Sequence, residues 1–464
     1  MRALPWRRPS PELLRLVGVW AAWLVILCVF QVVVAARLQP DRPDEVLGWT
    51  PSETGRAVLP CRPLLADPTL KEHVAFDSEY YLSIALAGYD DPNAEAWAPG
   101  PGGPSWFGVP SCSANVPDDW SSLNYAFLPG YPAAMRTVIE ASRFVPFTSG
   151  MSDIGRATLA GIIVSALGGL LAMLALARLW AKLDPDDAGS WGGSGGLRAA
   201  VYLLVFPTGF YLAQVYSEGL FLGLAFMACA MAVERRFVTA AVLGGLSVAV
   251  RPAGTFLALP IAWAALQVLR ESGWLAGGAA SLRRVAVPAL AALVPVAAFG
   301  AWYASDLGAR WRLVEEGYFS RTLDVAGSWD TWVATVDSLL SGTDKTAAAT
   351  GYATFGGGGE LAPASSVYIA LELGALVLAI VASLWLARRL PGVALFGVGV
   401  LLLAFSSAAG GEQGMDRYVL AVPAIFLMLA WLGRSQVFDR AWLIASALIM
   451  GMLATLFTYG FWVS

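Results

Sequence analysis

Apolar runs long enough to enter a bilayer recur from one end of this chain to the other, and they restrict the fold more than any other feature. They fall at 13–36, 157–180, 198–215, 218–233, 237–250, 253–269, 285–303, 366–387, 392–409, 418–433 and 441–461, about eleven in all. In lipid every backbone N–H and C=O must be satisfied within the protein, so such runs can only be helices. The expectation is an all-α polytopic membrane protein forming one unit over 1–464. Several runs are shorter than the roughly 20 residues of a straight crossing, so tilted, broken or re-entrant helices are expected. Only 14% of the residues are charged and 57% are hydrophobic, too little charge to cover a soluble protein of 464 residues. No internal repeat is visible. Beyond MRALPWRR at the start there is no basic run, which argues against a nucleic-acid partner.

The first run, Leu13 to Ala36, is longer than a secretory signal core, and RLQPDRPD after it lacks a small-residue cleavage site. It is read as a retained span. Arginines and lysines give the orientation. With the amino terminus in the cytoplasm, every inner connection is basic, from Arg178 and Lys182 through Arg235 and Arg236 to Arg434 and Arg440. Two long polar segments, 37–156 and 305–364, then become external loops, the first rich in acidic residues. Cys28 and Cys229 fall in apolar runs as small core residues. Cys61 and Cys112 both lie in the first loop and are expected to pair as a disulfide if that loop is outside the cell.

The same topology brings Asp77, Tyr216, Glu218, Arg251, Asp416 and Arg417 to one face, each at the outer end of a span. Charges beside lipid are costly, so they point into a shared polar cavity. In AFDSEYYLSIALAGYDDP, Phe76, Tyr80, Ile84 and Ala87 form one helical stripe bordered by Asp77 and Tyr81, which predicts an amphipathic helix on the outer leaflet. Asp77 then either caps that helix or performs chemistry. Glu79 shares this stretch. His73, the lone histidine, sits one turn earlier and is either incidental or part of the site. Glu218 lies between two apolar runs and needs a partner, with Arg251 the nearest external cation in sequence. That pair is either a staple between helices or part of a substrate site. Arg417 is either an interfacial anchor or a ligand for an anion. No metal constellation is visible, although Asp90 or Glu218 leaves a divalent ion open as an alternative.

Taken in order, DxxYYxxIAxxGY at 77–89, AFLPGYP at 126–132, PxxFYxAxVYSEGLF at 207–221, RPAG at 251–254 and MDRYVLAVP at 415–423 resemble the PIG-V type of mannosyltransferase. That family belongs to the GT-C superfamily of polytopic glycosyltransferases. The chain departs from the pattern in carrying Phe76 where tryptophan is usual, and in a long insert after Gly88 and Tyr89. The resemblance implies a GT-C-like fold with amphipathic helices in a long first external loop. It implies transfer of mannose, or another hexose, from a polyprenyl-phosphate donor to an extracytoplasmic glycolipid, glycan or protein hydroxyl in the cell membrane. By the same resemblance Asp77 is the general base. Glu79, Tyr80, Tyr81, Tyr216, Glu218, Asp416, His73 and the two arginines, Arg251 and Arg417, surround the substrates, with the arginines on the donor phosphate. No cofactor beyond the lipid-linked sugar is expected.

A secondary transporter or lipid flippase is the competing class, since charges among broken helices serve transport as well. Transporters commonly show repeats and mid-membrane sites, whereas here the charges gather at one face. An envelope scaffold without chemistry is a third reading, under which Asp77 is dispensable.

Overall fold

The computed structural model describes residues 10–37, 70–91, 94, 96–97, 121–189, 191–271, 278–319, 321–346, 363–407, 414–460 and 463. Cys61 and Cys112 lie outside the described residues, so the disulfide reading is not addressed there. The described chain is helical apart from one two-residue antiparallel pairing, Ala96–Trp97 with Ser121–Ser122.

Among the described residues sixteen α-helices follow one another: α1 Pro11–Arg37, α2 Ser78–Leu86, α3 Gly130–Ser142, α4 Asp153–Leu183, α5 Gly193–Leu204, α6 Glu218–Val233, α7 Phe237–Val248 and α8 Ala258–Glu271. The second half holds α9 Gly278–Tyr303, α10 Asp306–Gly317, α11 Val325–Ser341, α12 Pro363–Ala387, α13 Pro391–Ser406, α14 Met415–Val419, α15 Pro423–Leu432 and α16 Gln436–Thr458. Among the described residues six helices are long and apolar enough to cross a membrane, in α1, α4, α8 with its preceding 3-10 turn, α9, α12 and α16. Shorter apolar helices are α6, α7, α13 and α15. The chain is a multi-pass membrane protein.

Each predicted run contains a helix, but several are broken. The run 198–215 ends its α-helix at Leu204 and continues as a 3-10 turn, Gly209–Ala213. Pro207 lacks the N–H a continuing helix would need. The run 418–433 likewise becomes α15, started by Pro423 at its first turn, with the short α14 in front of it.

Burial separates core from periphery. Of the most apolar stretch of α4, 67% is buried, against 17% for α1 and 22% for α9, α12 and α16. The latter helices present their apolar sides outward, as lipid-facing helices do. α4 packs on α6 at backbone distance through small residues: a Cβ on Gly219 would lie 2.1 Å from Ser165 O, and one on Gly168 2.3 Å from Gly219 C. That approach fixes the start of α6, where Glu218 sits.

One sequence expectation needs correction. Helix α2 does not lie on a surface: Ser78 through Ala85 are all buried, packed against α3 and α4. The apolar stripe is only one of its covered faces, because both neighbours have apolar sides to offer. The amphipathic helix of this segment is α3, with Tyr131, Met135 and Ile139 inward. The second polar segment holds helices of its own. α10 docks on the first polar segment through Val314, Tyr318, Tyr80, Leu123 and Tyr125. α11, capped by Asp324, turns Ser328, Thr331, Thr335 and Ser338 inward while Val325, Trp329, Val333 and Leu340 face out. Its Trp332 stacks on Phe405 of α13.

Candidate functional site

Asp77 occupies the residue before α2, yet its side chain caps no helix N–H. The reason is local: Phe76 adopts φ 49°, a left-handed conformation that costs about 1 kcal/mol or more for a residue with a Cβ. This turn releases the carboxylate from the helix end and directs it to Arg417, whose Nη1 donates to Asp77 Oδ2 at 3.1 Å. The capping alternative is therefore set aside.

From Arg417 the network runs inward. Its Nε lies 3.2 Å from Oε1 of Glu218, and the same oxygen accepts from Arg251 Nη2. Arg251 Nε donates to Ser217 Oγ at 3.0 Å, and Tyr81 Oη donates to that hydroxyl at 2.9 Å. The Arg417 guanidinium stands over the rings of Tyr216 and Tyr211, 5.5 and 5.7 Å from their centroids. One connected set thus draws in residues from four of the five sequence motifs. The fifth, AFLPGYP, supplies a buttress. Gly130 N donates to Ala249 O at 2.7 Å, and a Cβ on Gly130 would lie 2.6 Å from that oxygen, so only glycine lets α3 seat against the turn leading to Arg251. Tyr131 Oη donates to Gly161 O of α4 at 3.0 Å.

Asp77, Tyr81, Arg251 and Arg417 line a cavity of about 600 Å³. Its walls differ. One is apolar, built from Phe221, Phe299, Val400 and Leu403, on helices α6, α9 and α13. Another is charged and comes from α10 and the turn after it: Arg312, Glu315, Glu316 and Arg321. Sequence reading missed these four, because charges in a polar segment look solvated and no spacing marks them. Arg321 Nη1 donates to Glu315 Oε2 at 3.3 Å and its N–H to Glu315 O at 2.8 Å. Burial holds the Glu315 carboxyl above the usual carboxylate range, opposed by the Arg321 charge and assisted by that of Asp77.

Of the remaining predicted residues, those whose side chains are described do not reach the cavity. Glu218 is fully buried behind the two arginines. Tyr216 is buried too, its hydroxyl donating to Ala75 O at 3.1 Å, two residues before Asp77. Tyr80 stacks on Phe127 at 4.9 Å and belongs to the α10 contact, and Glu79 is buried away from the lining. Asp416 falls on α14, and its side chain is outside the described part. His73 is a fastener: its Nδ1 lies 3.1 Å from Ala213 O and 3.2 Å from Gln214 Oε1, while Val215 N donates to His73 O. These bonds zip the chain before Asp77 to the broken segment before Tyr216. Gln214 continues the link to Gln31 of α1 at 2.9 Å. A sequence shows a histidine but not the segment it will lie beside.

Among the described residues no three His, Cys, Asp or Glu side chains come together as a metal site. Asp90 accepts from Tyr125 Oη at 2.7 Å and lies 3.6 Å from Arg310, so it ties α10 to the first polar segment.

No protein-family model matches the chain, and no curated protein matches it in sequence. Among solved structures, the oligosaccharyltransferase of Archaeoglobus fulgidus in its apo form is similar over 96% of this chain and 56% of that one, at 14% identity and a TM-score of 0.43. The archaeal oligosaccharyltransferase AglB from Archaeoglobus fulgidus, in complex with an inhibitory peptide and a dolichol-phosphate, is similar over 95% and 55%, at 16% identity and a TM-score of 0.37. The chain spans just over half the length of these solved structures.

Proposed function

We propose that the chain is an inverting glycosyltransferase that moves mannose, or another hexose, from a polyprenyl-phosphate donor to an acceptor hydroxyl on the extracytoplasmic side. The observation that carries this reading is the composition of the cavity. An aspartate and two arginines meet there beside an apolar wall, on helices apolar enough to sit in lipid. A lipid phosphate needs both halves of such a site, cations for its head and hydrocarbon for its tail.

The chemistry asks for one base. The acceptor oxygen attacks the anomeric carbon as its proton passes to Asp77, and the bond from that carbon to the phosphate oxygen breaks on the opposite face. The polyprenyl phosphate leaves as an anion and needs no general acid, as in the base half of an inverting glycosidase. Arg251 and Arg417 hold the phosphate oxygens and stabilise the charge that builds there. Arg417 is the hinge of this scheme, since it pairs with Asp77 at 3.1 Å before any phosphate arrives. A phosphate that draws on Arg417 loosens its grip on Asp77 and frees that carboxylate to meet the acceptor hydroxyl, so donor binding prepares the site for the acceptor.

The test is hexose transfer in membranes supplied with polyprenyl-phosphate mannose. Asp77→Asn is expected to keep expression and folding while transfer falls by about a thousandfold or more. Near-normal transfer by that variant removes the base assignment and favours the flippase or scaffold. Mass spectrometry of envelope glycolipids and glycoproteins after deletion identifies the acceptor class from the missing hexose.

A further inference from the structure

Resting on that reading, we infer that Glu218 is a positioning residue, which sets the spacing of the two phosphate-binding arginines without touching substrate. Three observations converge on it. One oxygen, Glu218 Oε1, accepts from Arg251 Nη2 and lies 3.2 Å from Arg417 Nε. Both arginines line the cavity, whereas Glu218 is fully buried and does not. Its second oxygen, Oε2, is buried with no hydrogen-bond partner among the described residues, so the carboxylate is given over to the two cations.

Two guanidiniums side by side repel each other, and each has somewhere else to turn, Arg417 toward Asp77 for instance. A single shared oxygen draws both to a common point and keeps their donor edges a fixed distance apart. That is the geometry a bidentate or bridging grip on one phosphate requires. The anchor itself is rigid. Glu218 opens α6, and the next residue, Gly219, is pressed so close to α4 that a Cβ would lie 2.1 Å from Ser165 O. Ser217 adds a second hold on Arg251 through Nε at 3.0 Å. The tripeptide Tyr-Ser-Glu at 216–218 therefore works from behind the site, each of its side chains supporting a residue at or beside the cavity.

Purified wild type, Glu218→Gln, Glu218→Asp, Arg251→Ala and the Glu218→Gln/Arg251→Ala double variant are titrated with farnesyl phosphate in detergent, alongside their melting temperatures. Glu218→Gln is expected to weaken farnesyl phosphate binding by about tenfold or more, as loss of an orienting partner does elsewhere. Glu218→Asp, which keeps the charge but withdraws the oxygen, should fall between wild type and Glu218→Gln. It carries the comparison alone, as weaker binding than wild type, if Glu218→Gln does not fold. The double variant should bind no more weakly than the weaker single one. A lowered melting temperature with unchanged affinity, or losses that add in the double variant, overturns the positioning role. If wild type binds and Arg251→Ala does not, yet Glu218→Gln binds normally, only the positioning role falls. Wild type that fails to bind farnesyl phosphate at all removes the donor reading, and this inference with it.

Discussion

Helix α6 has carboxylate–arginine pairs at both ends, and the two ends obey different physics. At its start, Glu218 is fully buried and shared by Arg251 and Arg417, whose side chains are 16% and 6% exposed. Just past its end, about 24 Å away at 1.5 Å per residue, Glu234 pairs with Arg178, and Arg235 with Glu271. Arg235 and Glu271 are 46% and 59% exposed, and Arg434 with Asp184 is similarly open on the arginine side. Exposed pairs cost nothing to desolvate and return little. Buried pairs cost several kcal/mol per ion to bring out of water, and an apolar replacement often serves stability as well or better. A chain that keeps four charges at the expensive end, around a cavity, retains them for something other than stability. The cheap end needs no such explanation, since basic residues at helix ends suit both solvation and a membrane surface.

Arg417→Ala should produce the largest effect on this contrast. It strips a partner from Asp77 and from Glu218 at once, which should cost about 3–5 kcal/mol of stability and raise the donor concentration needed for transfer on the order of a hundredfold. Thermal denaturation in detergent and donor titration check the two halves separately. Unchanged values in both would erase the distinction between the ends.

A middle case is Arg321→Ala, on the charged wall that α10 supplies. Transfer should fall roughly tenfold, since its Glu315 pair is only partly screened from water. This variant also has a pH signature. The Glu315 carboxyl is already raised by burial, so its contribution to stability is greatest at acid pH and is lost as pH rises through its folded value. Removing the Arg321 charge raises that value further and extends the loss to higher pH. The melting-temperature deficit of Arg321→Ala should therefore grow as pH rises above the usual carboxylate range, and a deficit independent of pH would contradict the pairing. Smallest of all, Arg235→Ala at the opposite end should leave transfer and melting temperature at wild-type levels in the same assays.

How much of this could be read beforehand depends on which force was at work. Hydropathy is a property of the chain itself, so the apolar runs were legible, including those too short for a straight span. The break after Leu204 was marked by Pro207 and Gly209, but the apolar residues around them masked it. The motifs named Asp77, Tyr81, Arg251 and Arg417, which the fold brings to one cavity. Which layer each residue occupies was not legible. Glu218 and Tyr216 stand behind the arginines, and Tyr80 packs beneath α10, because helix packing decides who faces the cavity. Nor could Asp77 be chosen between cap and cavity, since the answer turned on the left-handed backbone at Phe76. Glu315 and Arg321 were invisible for an opposite reason: a charge in a polar segment is ordinary until a neighbouring helix buries it.

The most direct measurement of the account is an experimental structure with an isoprenyl phosphate bound. The phosphate is expected in the cavity with its oxygens within hydrogen-bond reach, about 3 Å, of the Arg251 and Arg417 guanidiniums, its chain along Phe221, Phe299 and Leu403, and Asp77 facing the linkage. A phosphate seated at the far end of α6, or one in the cavity held by neither arginine, would contradict it.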